Sequence, residues 1–88
     1  MEIAYAPSFI RKYKGLTESL KQEVKEKIIL FRDERNHQQL RVHKLRGDLK
    51  DQYSFSITHQ IRIIFIYTKE IPKRAILLTI GAHDIYKA

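Results

Sequence analysis

The sequence predicts an α+β fold of order β-α-α-β-β-β, with a two-helix hairpin covering one face of an antiparallel sheet. The first observation is residues 53–67, where a two-residue alternation leads into a β-branched and aromatic run typical of strands. The second is residues 17–35, whose apolar side chains recur at helical spacing. The third is residues 74–80, a further apolar strand after a proline-containing turn. We expect residues 1–88 to form a single domain, because a chain of 88 residues supports one modest core.

The first two elements are predicted to be short. Residues 2–6 alternate and predict a first strand. Pro7 then begins a helix, because the first helical turn needs no backbone N–H from that residue. Gly15 is predicted to end this helix in the left-handed conformation, which glycine adopts without steric cost. Thr17 is predicted to cap the next helix, since its side-chain oxygen can accept a backbone N–H of the first turn.

The second helix is predicted to bury one apolar stripe against the sheet. Its balanced charges include Glu23 and Lys27, an i,i+4 pair of the favoured polarity. Such a stripe is typical of a core-facing helix rather than of a ligand groove. Its members are spaced three or four residues apart, and two flanking side chains widen it: Leu20, Val24, Ile28 and Phe31, then Ile29 and Leu30.

Arg62 interrupts the apolar pattern of the strand predicted at residues 61–67. It shares a strand face with Ile64 and Ile66, and a guanidinium cannot lose its charge there. We expect Arg62 either to pair with a carboxylate or to face an open groove. Because the helix hairpin covers only one side of the sheet, the second side is expected to be open and concave, with Arg62 on it.

The net charge of +7 lies mainly in the C-terminal half of the sequence. Residues 17–36 carry five basic and five acidic side chains, whereas residues 37–88 carry nine basic and four acidic ones, a net of +5. This distribution predicts a surface that faces a polyanion. Four cations cluster in residues 36–51, a segment without clear periodicity: Arg41, Lys44, Arg46 and Lys50.

Composition disfavours several classes of function. The chain has no cysteine, so disulfides and thiolate metal sites are excluded. Its four histidines lack the spacing of a metal site and there is no glycine-rich phosphate loop, so we expect neither a metal nor a cofactor. The N-terminus lacks the pattern of a signal peptide, and no apolar run approaches the ~20 residues of a membrane span. We expect a soluble cytoplasmic protein without a membrane partner.

Three short stretches are similar to the RelE/ParE toxin superfamily, and within it to the YafQ-type ribosome-dependent mRNA interferases. They are HKLRGDLK at residues 43–50, QIRIIFIY at residues 60–67 and IGAHDIY at residues 80–86. The resemblance covers nearly the whole sequence, because element order and length also match. It implies the toxin of a type II toxin–antitoxin pair, which binds in the ribosomal A site and cuts mRNA by attack of the ribose 2′-oxygen on the adjacent phosphate. A cognate antitoxin is the implied protein partner, and the toxin alone is expected to be monomeric.

The resemblance also implies an active site. His83 matches the principal catalytic histidine of the family, His43 matches a second active-site histidine, and Arg62 matches a strand arginine that contacts the scissile phosphate. Tyr86 lies near the position of a terminal aromatic, although it follows His83 by three residues where the family pattern has four. The strand of Arg62 also lacks the Asp-Trp pair of some YafQ-type members.

Cleavage by this route needs a base for the 2′-hydroxyl, an acid for the leaving 5′-oxygen and cations for the phosphorane charge. Histidine suits both proton transfers because its pKa of ~6.5 lies near working pH. We therefore assign His83 as general acid or base, His43 as its partner or a phosphate contact, and Arg62 as the charge stabiliser. Binding of the RNA backbone is assigned to the cation cluster: Arg46 and Lys50, with Lys44 and Arg41.

Two other functions stay open from the sequence. A ParE-like toxin would inhibit DNA gyrase without cutting RNA, and an inactive member would be an RNA-binding or antitoxin-partner module. Two histidines with a strand arginine favour the nuclease, because a pure inhibitor has no need of proton-transfer groups. Outside the predicted site, His37 and His59 are interpreted as turn residues and Tyr53 as cross-strand packing.

Overall fold

The computed structural model describes residues 1–47 and 51–82 of the chain. The elements in these ranges are β1 (Glu2–Tyr5), α1 (Pro7–Lys14), α2 (Glu18–Phe31), a 3₁₀ helix (Glu34–Asn36), β2 (His43–Lys44), β3 (Gln52–Ser56), β4 (Ile61–Tyr67) and β5 (Arg74–Ala82). The α+β class is confirmed, and so are the predicted helices and strands in their predicted order. The two-residue β2 is an additional strand, in the segment where the sequence has no clear period.

The strands form one sheet in the order β1-β5-β4-β3-β2. β3, β4 and β5 are antiparallel as predicted, and the additional β2 is antiparallel to β3. β1 runs parallel to β5, so the prediction of a wholly antiparallel sheet is wrong. A parallel pair needs a long crossover between its strands, and the helices and hairpins between β1 and β5 provide one. In this register Glu2 pairs with Arg74, and their side chains form an ion pair of 3.3 Å.

Both helices begin where the sequence predicts. α1 starts at Pro7, and the Thr17 hydroxyl caps α2 by accepting the backbone N–H of Leu20 at 3.2 Å. Gly15 follows α1 with a φ of −84°, so its predicted left-handed conformation is wrong. Its N–H donates to the Lys12 carbonyl at 3.1 Å, and this tight turn needs no positive φ. No helix in the described ranges is long and apolar enough to cross a membrane.

The hydrophobic core lies between α2 and the sheet. Val24 and Phe31 of the predicted stripe are fully buried. The Phe31 ring stacks on Phe55 at a centroid distance of 4.3 Å and meets Phe65 edge-on at 4.8 Å. Ile29 is 68% exposed, so its predicted place in the stripe is wrong. One helix position turns a side chain by about 100°, which carries Ile29 off the face that its neighbour buries.

The sheet face opposite the helices is closed at its centre. Strand alternation places Ser54, Ile64 and Thr79 on this face, paired across β3, β4 and β5. Ser54 is fully buried and Ile64 is 4% exposed, whereas the sequence predicts an open face. The hydroxyls of Ser54 and Thr79 have no hydrogen-bond partner in the described part of the chain. On either side of this closed centre the face is half-buried, at Arg62 toward one end and at Gln52 and Ile66 toward the other.

A bulge aligns the end of β5 with Arg62. Leu78 is the extra residue in β5, and its carbonyl accepts a hydrogen bond from the Ser8 hydroxyl of α1. Beyond the bulge, Gly81 pairs with Arg62, and Ala82 pairs with the residue before it. The last described residues of β5 therefore lie beside Arg62.

Candidate active site

A cavity of about 270 Å³ lies between the β3–β4 turn and the loop that follows the 3₁₀ helix. The loop is tied to β3 by the N–H of Ser56, which donates to the Leu40 carbonyl at 2.9 Å. No aspartate or glutamate is among the described residues that line it, while two arginines, one lysine and one histidine are. We call this space the turn cavity; its lining residues are Lys27, Gln39, Leu40, Arg41, Ser56, Ile57, Thr58, His59 and Arg62.

Arg62 is held in the turn cavity by backbone carbonyls. Its Nη1 donates to the Thr58 carbonyl at 2.7 Å and to the Ile61 carbonyl at 3.3 Å. Within residues 1–47 and 51–82, no acidic side chain forms an ion pair with it. Neutral carbonyls orient a guanidinium without cancelling its charge. Of the two alternatives predicted for Arg62, a position facing an open groove therefore fits its described surroundings, and a pair with a carboxylate does not.

The β3–β4 turn that supplies these carbonyls is itself ordered by hydrogen bonds. The Thr58 hydroxyl accepts the N–H groups of Gln60 at 3.2 Å and of Ile61 at 3.0 Å. His59 lies in this turn, as the sequence predicts, and its exposed imidazole also lines the turn cavity. The sequence analysis did not predict that His59 lines the same cavity as Arg62. The available signal was that His59 precedes Arg62 by three residues across a tight turn.

His43 is oriented by the backbone of Arg41. The Nδ1 of His43 lies 2.8 Å from the Arg41 carbonyl, and a carbonyl can only accept, so Nδ1 carries the proton. In the neutral ring Nε2 is then the proton acceptor, on an exposed side chain. Arg41 reaches this geometry with a φ of 58°, a left-handed conformation that costs a non-glycine residue about 1 kcal/mol.

His43 and Arg62 lie on the same face of the sheet. His43 pairs with Ser54 and Arg62 pairs with Ser56, two positions along β3. Two strand spacings and two residue rises put their Cα atoms ~12 Å apart. The carbonyl of Arg41 accepts the hydrogen bond from His43, and Arg41 lines the turn cavity together with Arg62.

The other predicted RNA-binding cations are dispersed. Lys44 pairs with Tyr53, so it lies on the opposite sheet face from His43. Arg46 is exposed beyond the end of β2. Lys50 lies outside the described residues. The described structure therefore brings only Arg41 of this set to the turn cavity.

His83 and Tyr86 also lie outside the described residues. Ala82, which precedes His83 in the chain, is the last residue of β5 and pairs with Ile61, the neighbour of Arg62. The roles assigned to His83 and Tyr86 stay predictions.

Two aromatic residues outside the site have packing roles. His37 stacks on Phe31 at 4.7 Å, and its Nε2 lies 2.8 Å from the Phe31 carbonyl, which fits the turn role predicted for it. Tyr53 stacks on Phe65 at 5.5 Å and meets Tyr67 edge-on at 4.9 Å, so its predicted cross-strand packing is confirmed.

Neither a protein-family model nor a curated protein matches the sequence. Solved structures match the fold. YafQ from E. coli strain BL21(DE3) gives a TM-score of 0.73 over 99% of this chain and 98% of its own, at 15% identity. The YoeB/ParE toxin from Agrobacterium tumefaciens gives 0.70 over 94% and 99%, at 17% identity. The RelBE2 toxin–antitoxin complex from Mycobacterium tuberculosis gives 0.69 over 93% and 96%, at 14% identity.

The fold is that of the RelE/ParE toxins. The resemblance predicted from three short stretches of sequence is thereby confirmed at the level of the fold, including the likeness to YafQ. In the described part of this RelE/ParE fold, no cluster of three or more histidine, aspartate or glutamate side chains is arranged to hold a metal ion.

The protein has another cavity, of about 660 Å³ and so larger than the turn cavity, at the C-terminal end of α2. We call it the helix-end cavity; its described lining residues are Met1, Ile29, Arg32, Asp33, Glu34, Arg35 and Lys73. Arg35 donates to the Asp33 carboxylate through Nε and Nη2, the latter at 2.7 Å. These hydrogen bonds lower the pKa of Asp33 to about 2, and the same contact raises the pKa of Arg35. Lys73 Nζ lies 4.0 Å from the centre of the Tyr67 ring, so its charge is engaged as well.

Proposed function

We propose that this chain is the toxin of a type II toxin–antitoxin pair and a metal-independent endoribonuclease that cleaves ribosome-bound mRNA. The observation that carries the proposal is Arg62, which is held by two backbone carbonyls in the turn cavity and lies on the same sheet face as His43. The likeness in fold to YafQ and to the toxin of the RelBE2 complex supports the toxin assignment.

In the proposed reaction the ribose 2′-oxygen attacks the adjacent phosphorus. The 2′-O–P bond forms and the P–O5′ bond breaks, which leaves a 2′,3′-cyclic phosphate and a 5′-hydroxyl. A base takes the proton of the 2′-hydroxyl, and an acid delivers a proton to the leaving 5′-oxygen. The Arg62 guanidinium stabilises the charge on the phosphorane oxygens, because its planar fork donates to two oxygens at once.

Two histidines supply the proton transfers in this proposal. His43 offers Nε2, since Nδ1 is committed to the Arg41 carbonyl. His83 is its partner as general acid or base, and Tyr86 contributes to the same site. Arg41, which lines the turn cavity, holds the backbone of the mRNA, while RNA binding by Lys44, Arg46 and Lys50 stays a prediction.

The proposed partners follow from the proposed reaction. The mRNA is bound in the ribosomal A site, so the protein acts in the cytoplasm. A cognate antitoxin neutralises the toxin; the RelBE2 structure is a toxin–antitoxin complex with a matching fold, and this supports such a partner. The toxin alone is proposed to be monomeric.

A translating extract tests the proposal. The purified protein is added, and mRNA ends are mapped by primer extension, with His83→Ala as the loss-of-function variant and Arg35→Ala as the control. We expect codon-phased cuts with the wild type and the control and none with His83→Ala. Intact mRNA together with failing gyrase supercoiling would instead identify a ParE-like inhibitor, and neither effect would identify an inactive binding module.

A further inference from the structure

We propose that the turn cavity is a phosphate-binding subsite for RNA, in which Lys27, Arg41 and His59 hold a backbone phosphate beside Arg62. This inference rests on the proposed function for the identity of its ligand. It extends the binding set to Lys27 of α2 and His59 of the β3–β4 turn, two residues that neither the sequence nor the resemblance assigns to RNA. The described lining joins three separate stretches of chain, at residues 27, 39–41 and 56–62.

The charge of the turn cavity favours an anion. Arg41 and Arg62 carry permanent positive charges, and the described lining contains no carboxylate to offset them. Lys27 has a partner outside the cavity, since its Nζ lies 3.9 Å from the Glu23 carboxylate one helical turn earlier. That separation is long for an ion pair and both side chains are partly exposed, so the pair is weak. A net positive charge is left in the cavity even if Glu23 offsets Lys27 completely.

The guanidinium of Arg62 and the backbone of Arg41 are ordered before any ligand arrives. The Arg62 guanidinium is fixed by the Thr58 and Ile61 carbonyls, and Thr58 is fixed by the turn it caps. The backbone of Arg41 is fixed by its carbonyl contact with His43 and by its N–H, which donates to the Gln38 carbonyl at 3.1 Å. A ligand that binds donors already in place loses less affinity to side-chain ordering.

Size and surroundings favour a nucleotide phosphate as the occupant. About 270 Å³ is slightly below the ~300–1,000 Å³ of pockets for drug-sized ligands, so the cavity suits one phosphate with part of its nucleoside. Arginine forks match phosphate oxygens, and an exposed imidazole such as that of His59 can stack on an unpaired base. Arg62, which lines the cavity, lies on the same sheet face as His43, the proposed proton-transfer residue.

Nucleotide binding to the purified full-length protein tests this assignment without requiring cleavage. Uridine 3′-monophosphate and inorganic phosphate are titrated separately, and backbone amide shifts are recorded by ¹H–¹⁵N NMR. We expect saturable shifts for residues 39–41 and 56–62, with the nucleotide binding more tightly than phosphate. Shifts centred on the helix-end cavity, or none at either cavity, would overturn the proposal.

The variants are chosen to weaken nucleotide binding without unfolding the protein. Arg41→Gly removes the side chain at a position where the left-handed backbone suits glycine, so the fold should tolerate it. Loss of a charge-assisted hydrogen bond predicts a ~10-fold weaker Kd for Arg41→Gly and a ~3- to 5-fold weaker Kd for Lys27→Ala or His59→Ala. Arg35→Ala, an arginine already paired with Asp33, is the matched control and should bind as the wild type does. Unchanged thermal unfolding verifies each fold.

Two outcomes separate this inference from the proposed function. Wild-type protein that cleaves mRNA while all three cavity variants bind nucleotide normally would overturn the subsite and leave the nuclease intact. Nucleotide binding that maps to the turn cavity and is lost in the variants, with no mRNA cleavage by the wild type, would support the subsite and overturn the nuclease. Binding of an acidic peptide to this cavity in place of the nucleotide would overturn the RNA assignment.

Discussion

The helix-end cavity and the turn cavity both contain arginine, but Arg35 and Arg62 differ in what holds the guanidinium. In the helix-end cavity Arg35 is paired with the Asp33 carboxylate, and the pKa of Asp33 falls to about 2 as a result. In the turn cavity Arg62 is held by two neutral carbonyls. The larger cavity therefore has an arginine whose charge is already matched, and the smaller one has an arginine whose charge is available to a ligand.

Replacing Arg62 and Arg35 one at a time is the most direct test of this difference between the cavities. We expect Arg62→Ala to lower mRNA cleavage ~10²- to 10³-fold, as removal of a preorganised charge stabiliser does in other enzymes. Arg35→Ala should change cleavage less than ~2-fold, because its guanidinium only matches a surface carboxylate. Initial rates of mRNA cleavage in the translating extract measure both. Equal losses in the two variants would remove the distinction between the cavities.

His43 and His37 give a second, smaller contrast. His43 and His37 each contact a backbone carbonyl, but His43 is exposed whereas His37 is half-buried and stacked on Phe31. We expect His43→Gln to lower cleavage ~100-fold, the lower end for a general acid or base, and to leave the unfolding temperature unchanged. His37→Gln should keep cleavage per folded molecule and destabilise the protein by about 1 kcal/mol through the lost stacking.

Urea unfolding and cleavage rates of the two variants are compared at one protein concentration. A His43→Gln protein that unfolds early but cleaves normally would assign His43 to structure alone. The contrast between a functional and a structural residue would then hold for Arg62 and Arg35 but not for His43 and His37.

The parts of the fold that were predictable from sequence depend on neighbours in the chain. The stripe of α2 and the Thr17 cap follow from spacings of three or four residues, and the face of Arg62 follows from strand alternation. The parallel pairing of β1 with β5 was not predictable in this way, because its partners are far apart in sequence and a strand pattern does not specify its neighbour. Ile29 shows the limit of periodicity, since the width of the buried stripe depends on what packs against the helix.

The site was predictable in part for the same reason. Arg62 could be recognised because a charge among isoleucines stands out locally. Lys27 and His59 could not, because each is ordinary in its own segment and becomes part of a cavity only when α2, the 39–41 loop and the β3–β4 turn meet. The Ser56–Leu40 hydrogen bond that joins loop to strand has no sequence signature.

Adding an acid to the turn cavity should make it resemble the helix-end cavity. Gln39 lines the turn cavity and is exposed, and Gln39→Glu changes its charge with little change in shape. We expect about 5-fold weaker binding of uridine 3′-monophosphate, since a carboxylate near Arg41 and Arg62 competes with the phosphate. The loss should shrink at high salt, because charges this close to solvent are screened. Titrations at two salt concentrations measure the effect, and tighter binding by the variant would contradict it.

Removing the Asp33 carboxylate from the helix-end cavity has the smallest expected effect, and it appears in stability rather than in activity. The pKa of Asp33 is lowered from 3.8 to about 2 by its hydrogen bonds with Arg35, so the folded protein holds this carboxylate ionised more strongly than the unfolded chain does. The stability it contributes is present above the unfolded pKa and is lost as pH falls through the folded one, between about pH 4 and pH 2. Because the pair is exposed to solvent, the contribution is small and salt should reduce it further. Urea midpoints of the wild type should therefore fall slightly more than those of Asp33→Asn between pH 5 and pH 2.5. Parallel midpoints over that window would mean that Arg35 is not held by Asp33 in solution, and the Arg35 guanidinium would then be as available to a ligand as that of Arg62.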